Sequence, residues 1–231
     1  MMEAVLYIAH GSSRGAANDT FLGFITKVMK KSSVAIQAYA FLEHAEPSIT
    51  QAIEACIEKG AEKIIVVPVL LLTGVHANVD IPAAFASYPQ MVFQYAKPLG
   101  IDDIMVEILE DRLTEAGFSK KTDVTVLLVG HGSRELATAV EFESLAVDLS
   151  KKIGSDVHTA YLTTPVYYDE MVKRLFTKKI YILPYLLFAG GYMVKMEKAV
   201  EEQAQHIKMC GPVGFDEKLI RLIEKRINEV R

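Results

Sequence analysis

The sequence predicts an α/β fold of two similar, doubly wound lobes. Each lobe is expected to contain a four-stranded, mainly parallel sheet flanked by helices, with a cleft between the lobes. The first observation behind this prediction is a repeat, because the two halves of the chain carry the same apolar segments in the same order. The second is that short β-branched runs alternate with amphipathic stretches of helical period, which is typical of βα units. The third is that the strand segments are apolar on both faces, as expected for parallel strands covered by helices on both sides.

The internal repeat divides the chain into two lobes. Four segments of the first half recur in the second half: residues 5–12 as 126–133, 40–43 as 160–163, 68–76 as 184–192, and 98–102 as 212–216. A unit of about half the chain is long enough to form a domain. We therefore predict a first lobe over residues 1–118 and a second lobe over 119–231, with the polar segment 119–123 as the linker.

The first lobe is predicted to contain four strands and four helices in alternation. The strands are expected near residues 4–9, 34–42, 62–71 and 91–97, and the helices near 15–31, 47–59, 77–87 and 101–116. Pro47 fits the first turn of the second helix, because the N–H that proline lacks has no partner there. Gly60 follows the last periodic residue of that helix, and Asp102 stands at the start of the fourth helix.

The second lobe is predicted to repeat this order. Its strands are expected near residues 124–129, 156–162, 179–185 and 207–210. Asp216 marks the start of the last helix, as Asp102 does in the first lobe. Right-handed crossovers and short loops make a doubly wound sheet the economical topology, with ligands bound beyond the carboxyl ends of the strands.

The composition is that of a globular protein and argues against several kinds of partner. Apolar residues make up 51% of the chain, and a net charge of −4 arises from 25 Lys and Arg against 29 Asp and Glu. This balance offers no basic field for nucleic acid. The longest apolar run, residues 64–75, is too short to cross a bilayer. We therefore expect no nucleic-acid partner and no membrane partner, and we expect a monomer.

The cysteines and the N-terminus bear on the compartment. Cys56 and Cys210 form neither a disulfide framework nor a Cys-x-x-Cys pair, which fits a reducing environment. The N-terminal residues lack the basic start and the cleavage pattern of a signal peptide. We therefore expect a cytoplasmic protein.

Three polar residues, His10, Glu43 and His76, follow the first three predicted strands at equal sequence intervals. If the first strand lies between the second and the third, these residues rise from strands about 4.8 Å apart, so their side chains can converge. Two imidazoles and one carboxylate form an open ligand set for Fe(II), Co(II) or Ni(II), whereas a closed structural zinc site fits less well. Each residue alone also fits an ordinary role, as a strand-end histidine, a solvated glutamate or a loop histidine.

The second repeat indicates that these three residues share a task. Its equivalent positions hold His131, Thr163 and Tyr192, although the surrounding apolar residues are kept. We therefore predict one metal ion per chain, held in the first lobe. For His131 two roles stay open. Either it faces the cleft, as a proton carrier or as a contact for the ligand, or it supports the framework.

The remaining histidines are expected to be structural. We predict that His44 faces away from Glu43, and that His158 and His206 lie in ordinary sheet and helix-end positions. The chain contains no Gly-x-Gly-x-x-Gly loop and no Walker loop, so a dinucleotide or a nucleoside triphosphate is not supported.

A second group of residues could bind anions. Ser12 and Arg14 follow the first His-Gly pair, and Ser133 and Arg134 follow the second, each time at the start of a helix. Free N–H groups, hydroxyls and a guanidinium favour carboxylates or phosphates at such positions. The alternative for the two serines is ordinary helix capping.

The motifs together resemble those of the class II tetrapyrrole chelatases, and most closely the long-form sirohydrochlorin chelatases. The residues that carry the resemblance are His10-Gly11-Ser12, Phe41-Leu42-Glu43 with Glu46-Pro47, residues 67–72 with Gly74-Val75-His76, Asp80-Ile81-Pro82, and Lys97-Pro98-Leu99-Gly100. The resemblance covers nearly the whole chain, since the long form of the family also has two homologous lobes.

The resemblance implies an enzyme that inserts Fe(II) into sirohydrochlorin to form sirohaem, with the metal as a substrate and no cofactor. It implies that His10, Glu43 and His76 are both the catalytic residues and the metal ligands. Ser12, Arg14 and Arg134 are the candidates to receive the carboxylates of the ring. Cobalt insertion for cobalamin synthesis, a binding protein for metal or tetrapyrrole without catalysis, and a hydrolase that uses the metal to activate water remain as alternatives.

Overall fold

Two four-stranded sheets, both entirely parallel, form the framework of the chain. The computed structural model describes residues 2–74, 76–120, 124–175, 179–188, 190–201 and 206–231, without the side chains of residues 76, 199 and 201. The first repeat contains β1 (Glu3–Ala9), α1 (Gly15–Lys31), β2 (Ile36–Phe41), α2 (Ile49–Glu58), β3 (Lys63–Pro68), a π-helical turn (His76–Asp80), α3 (Ile81–Phe85), β4 (Val92–Tyr95) and α4 (Asp103–Glu115). The second repeat contains β5 (Val124–Gly130), α5 (Leu136–Ile153), β6 (Asp156–Tyr161), α6 (Tyr168–Arg174), β7 (Lys179–Pro184), α7 (Gly191–Glu201), β8 (Ile207–Met209) and α8 (Lys218–Asn228).

The strand order places the first strand of each repeat at the centre of its sheet. The orders are β2-β1-β3-β4 and β6-β5-β7-β8, which confirms the predicted doubly wound topology. Residues 4–9 of β1 are buried and apolar because helices cover both faces of the strand. The register aligns Ala9 with Phe41 and Ile8 with Pro68, so that β1, β2 and β3 end at the same edge.

Three helices differ from the predicted bounds, and one of them, α4, covers Asp103–Glu115 instead of residues 101–116. α2 begins after Ser48, whose hydroxyl accepts from Gln51 N while the Gln51 side chain accepts from Ser48 N. This capping box fixes the start of the helix, so Pro47 precedes the helix instead of forming its first turn. The helix predicted over residues 77–87 is divided into the π-helical turn and α3, which ends at Phe85.

The last helix of each repeat packs in the unit that the other repeat mainly forms. The chain divides into one unit of residues 1–100 with 217–231 and a second unit of residues 101–216. This division differs from lobes over 1–118 and 119–231, because α4 packs on α5 and β7 whereas α8 packs on α1 and β3. The boundary between residues 118 and 119 therefore stays a prediction about where the duplicated sequence divides. The cleft between the lobes also stays a prediction.

An arginine fixes each of these last helices to backbone carbonyls. In the first unit, Arg226 donates to the carbonyls of Pro98 at 3.0 Å and Leu99 at 2.7 Å. In the second unit, Arg112 donates to the carbonyl of Pro212 at 2.9 Å, and it pairs with Asp216 at 2.6 Å. A guanidinium can satisfy several acceptors at once, so each arginine pairs with acceptors that its own helix covers.

The two predicted aspartates behave differently at their helix starts. Asp102 caps α4, because its carboxylate accepts from Ile104 N at 3.2 Å. Asp216 lies before α8, whose N-cap is Glu217, and its carboxylate pairs with Arg112. Among the described residues, no helix is both long enough and apolar enough to cross a membrane.

Candidate metal site

The parallel pairing of β1 and β2 brings His10 and Glu43 together. His10 directly follows β1, and Glu43 lies two residues beyond β2. The pairing continues past the strands, because Leu42 N donates to Ala9 O at 2.9 Å and Glu43 N donates to His10 O at 3.1 Å. Both side chains therefore lie at the carboxyl edge of the first sheet, where doubly wound folds bind ligands.

The side chains of these two residues are in direct contact. His10 Nε2 lies 3.3 Å from Glu43 Oε1, and 40% of the His10 side chain and 45% of the Glu43 side chain are exposed. A carboxylate that is this accessible can receive an ion from solvent. His76 is the first residue of the π-helical turn after β3, and its side chain lies outside the described residues.

A backbone contact orients the imidazole of His10. Nδ1 lies 3.1 Å from the carbonyl oxygen of Gly11. Because a carbonyl oxygen only accepts, Nδ1 is the donor, and in the neutral ring the lone pair is on Nε2. In this neutral form Nε2 and the Glu43 carboxylate face each other as two electron-pair donors, an arrangement that a cation stabilises, whereas in the protonated form Nε2 donates to the carboxylate. Metal-ligating histidines commonly have this contact between the other ring nitrogen and a backbone carbonyl.

Gly11 permits the close approach of the two loops. Its φ is +89°, and a Cβ at this position would overlap the carbonyl oxygen of Glu43. Only glycine adopts this conformation without cost and also leaves room for the Glu43 backbone.

The residues predicted to bind anions lie in the loops after β1 and β5, and neither serine caps a helix. Ser12 Oγ accepts from Arg14 N at 3.1 Å, and Ser133 Oγ accepts from Glu135 N at 3.1 Å. The N-cap residues of α1 and α5 are Arg14 and Glu135, neither with a side-chain capping bond, so the serines stabilise the preceding loop. Arg14 and Arg134 are exposed.

The described side chains do not by themselves complete a ligand set for a metal. No group of three or more His, Cys, Asp and Glu side chains within them is placed to hold an ion, and the side chain of His76 is not among them. The structure thus brings together two of the three predicted ligands.

Comparison with known proteins identifies the family. A family model for CbiX matches residues 4–116 and 125–230. The chain belongs to the CbiX family. The match spans both repeats, so each half of the chain matches the family.

Individual relatives of this CbiX-family chain cover nearly its full length. A sirohydrochlorin ferrochelatase of Priestia megaterium is 37% identical over 98% of this chain and 90% of its own length. A sirohydrochlorin cobaltochelatase of the same organism is 32% identical over 99% of this chain and 80% of its own length. A solved structure of SirB from Bacillus subtilis with Fe3+ has a TM-score of 0.92, with 31% identity over 99% of this chain and 95% of that one. These findings confirm the resemblance to the chelatases and the predicted fold class.

His44 corrects one expectation about this CbiX-family chain. It was predicted to face away from Glu43, yet its Nε2 lies 3.3 Å from the same Glu43 Oε1 that His10 contacts. The prediction assumed the alternation of a strand, but β2 ends at Phe41 and His44 has a φ of 64°. This left-handed conformation turns the side chain back toward the carboxylate.

The repeat contained a signal for His44 that sequence reasoning missed. The segment that replaces Glu43 by Thr163 also replaces His44 by Thr164. A comparison extended by one residue would therefore have added His44 to the set that is lost in the second repeat.

The second repeat keeps the loop scaffold without the carboxylate. The hydroxyl of Thr163 donates to His131 O at 2.7 Å, and His131 Nδ1 lies 3.3 Å from Gly132 O. The ring of His131 packs edge-to-face on Tyr192, with centroids 5.4 Å apart. This edge of the second sheet therefore presents an aromatic pair where the first sheet presents His10 and Glu43.

Proposed function

We propose that this chain is a sirohydrochlorin ferrochelatase that inserts Fe(II) into sirohydrochlorin to form sirohaem. The observation that carries the proposal is the contact between His10 Nε2 and Glu43 Oε1 at 3.3 Å, at the carboxyl edge of a sheet in a CbiX-family chain. The relatives support the reaction, because the ferrochelatase relative is 37% identical over nearly the whole chain. The metal is a substrate, and we propose that no cofactor takes part.

The proposed mechanism uses His10, Glu43 and His76 as temporary ligands. Two imidazoles and one carboxylate leave coordination positions open, so ring nitrogens can bind the ion before the protein releases it. Insertion of a divalent ion displaces two protons from the ring nitrogens. A carboxylate and neutral imidazoles at the same place are suitable acceptors for these protons. The hydrogen bond from His10 Nδ1 to Gly11 O keeps Nε2 directed at the ion.

The ring itself requires cations, since sirohydrochlorin carries many carboxylates. Ser12, Arg14 and Arg134 are the residues that we propose for their recognition. Both arginines are exposed near the start of a helix, where a guanidinium and backbone N–H groups attract the same anion.

Cobalt insertion is the second candidate activity. The cobaltochelatase relative is 32% identical over 99% of this chain. The proposed ligands accept both ions, and selectivity between first-row metals follows geometry and metal supply as well as affinity. The higher identity of the ferrochelatase relative favours iron.

We further propose that the protein acts as a monomer in the cytoplasm, without a nucleic-acid or membrane partner. Cys56 and Cys210 are free and buried, which fits a reducing compartment. Burial raises the pKa of the Cys210 thiol to about 12, so this group is held in its unreactive protonated form.

The test of the proposed function is an insertion assay with the purified protein. Sirohydrochlorin is mixed with Fe(II) or Co(II) without oxygen, and the absorbance change gives the initial rate. We expect the wild type to metallate the ring with both ions well above the uncatalysed rate. His10→Ala should lower the rate by about a hundredfold or more, because it removes a ligand and a base.

The matched control is His158→Ala, since His158 is exposed on β6. It should leave the rate unchanged. A wild type that binds metal and sirohydrochlorin but leaves the rate at the uncatalysed value would instead identify a carrier protein.

A further inference from the structure

Large apolar side chains are exposed at the carboxyl edge of the second sheet. The exposed fractions are 79% for Leu136, 39% for Tyr167, 38% for Tyr192 and 50% for Val194. Leu136 begins α5, Tyr167 precedes α6, and Tyr192 and Val194 lie in the first turn of α7. Because these helices follow β5, β6 and β7, which are neighbours in the sheet, the four side chains share one edge.

The first sheet carries different residues at the equivalent positions. Gly15 begins α1 as Leu136 begins α5, and Ser48 pairs with the end of β2 as Tyr167 pairs with the end of β6. The sequence repeat aligns His76 with Tyr192 and Asn78 with Val194. Four positions that are polar or lack a side chain in the first repeat are thus apolar in the second. The edge that presents the His10–Glu43 pair in one sheet presents an apolar surface in the other.

Cations accompany this apolar surface. Lys195 Nζ lies over the ring of Tyr192, 6.0 Å from its centroid, and the Lys195 side chain is exposed. Arg134 is exposed in the loop between β5 and α5, on the same edge. The edge-to-face packing on His131 fixes the Tyr192 ring, with an angle of 85° between the two planes. A fixed aromatic ring with cations beside it is complementary to a flat conjugated ligand that carries carboxylates.

We propose that the carboxyl edge of the second sheet binds a face of the tetrapyrrole macrocycle through Tyr192, Leu136 and Val194, and pairs with its carboxylates through Lys195. This inference rests on the proposed function and assigns a different role to each repeat. The first sheet supplies the metal ligands, and the second sheet supplies the apolar contact with the ring. These different roles explain why the second sheet has kept its fold without the carboxylate.

The test measures ring binding and metal binding separately. Sirohydrochlorin affinity is followed by ligand fluorescence without metal, and Co(II) affinity is followed by titration without ring. Tyr192→Ala should weaken sirohydrochlorin binding by about tenfold, because a packed aromatic surface is lost. Tyr192→Phe should bind the ring as tightly as the wild type, and both variants should bind Co(II) with unchanged affinity. Lys195→Gln should weaken ring binding and reduce its dependence on salt.

The matched control is Val147→Ser, which alters an exposed apolar residue of α5 about 16 Å along the helix from Leu136. It should leave ring affinity unchanged. The inference is overturned if the wild type binds the ring and Tyr192→Ala binds it equally tightly, or if Tyr192→Ala changes the mass in sedimentation instead of ring affinity, which would identify a contact between copies of the chain. A wild type that fails to bind sirohydrochlorin at all refutes the proposed function itself.

Discussion

At the scale of single residues, the proposed metal site is built around one carboxylate that contacts two imidazoles. Glu43 Oε1 is 3.3 Å from His10 Nε2 and 3.3 Å from His44 Nε2. The carboxylate oxygen thus lies beside two imidazole nitrogens before an ion arrives. Such preorganisation is what a metal site requires of the residues around its ligands.

Gly11 provides the first test of this arrangement. In Gly11→Ala the new methyl group would overlap Glu43 O, so the loop that carries Glu43 must move away from His10. We expect Co(II) affinity, measured by titration, to fall by about tenfold or more, because a displaced ligand loses its geometry.

The control for this substitution is Gly60→Ala. Gly60 has a φ of +85° but would contact only Met2 Sδ at 3.6 Å. Alanine at position 60 has a similar backbone cost but does not contact the loop that carries Glu43, so Co(II) affinity should stay at the wild-type value. Equal affinities for Gly11→Ala and the wild type would show that the close loop approach is irrelevant to metal binding.

His44 is the second residue to test. His44→Asn keeps a residue that tolerates the left-handed conformation but is too short to maintain the contact with Glu43. We expect Co(II) affinity to decrease by about tenfold, as for other residues that support a metal ligand. His158→Asn, an exposed histidine on β6, serves as the control. An unchanged affinity in His44→Asn would mean that its contact with the carboxylate has no role.

The contacts of Glu43 with His10 and with His44 differ in whether sequence alone predicts them. The adjacency of His10 and Glu43 could be predicted, because both follow buried strands that pair in parallel. The orientation of His44 could not be predicted from strand periodicity, since that period ends with β2 and a single left-handed residue changes the direction of the side chain.

At the scale of secondary structure elements, the final helices show where local pattern is insufficient. Arg112 and Arg226 lie at equivalent positions of α4 and α8, and both donate to the carbonyl of a proline in a Pro-x-Gly segment. The two repeats therefore offer the same donor and the same acceptors. Sequence periodicity predicts both helices, but it contains no information about which sheet each helix covers, because the local partners are chemically the same.

Arg226→Met tests the contribution of this contact to stability. The Arg226 side chain is 7% exposed, so its loss leaves the Pro98 and Leu99 carbonyls without their charged donor inside the protein. We expect the free energy of unfolding, measured with urea, to fall by about 2–5 kcal/mol. Arg174→Met is the control, because Arg174 is 74% exposed and its pair with Glu170 at 3.8 Å is a surface contact. A loss of the same size in both variants would contradict this explanation of the packing of α8.

At the scale of the whole molecule, one fold is used twice with different residues at the carboxyl edge of each sheet. Both sheets have the same strand order, and both have a His-Gly pair with a glycine at positive φ after the central strand. Such identical frameworks follow from the apolar pattern, which is why the fold class could be predicted from sequence. The difference in chemistry lies in a few loop residues, which the apolar pattern does not constrain.

The most direct test of the central claim places the same kind of change in both sheets. Glu43→Thr gives the first sheet the residue of the second, and Thr163→Ala alters the equivalent position of the second sheet. The measurement is the initial rate of Fe(II) insertion into sirohydrochlorin. The account predicts a loss of at least about a hundredfold for Glu43→Thr and a rate near the wild-type value for Thr163→Ala. Full activity in Glu43→Thr would contradict the assignment of metal handling to the first sheet.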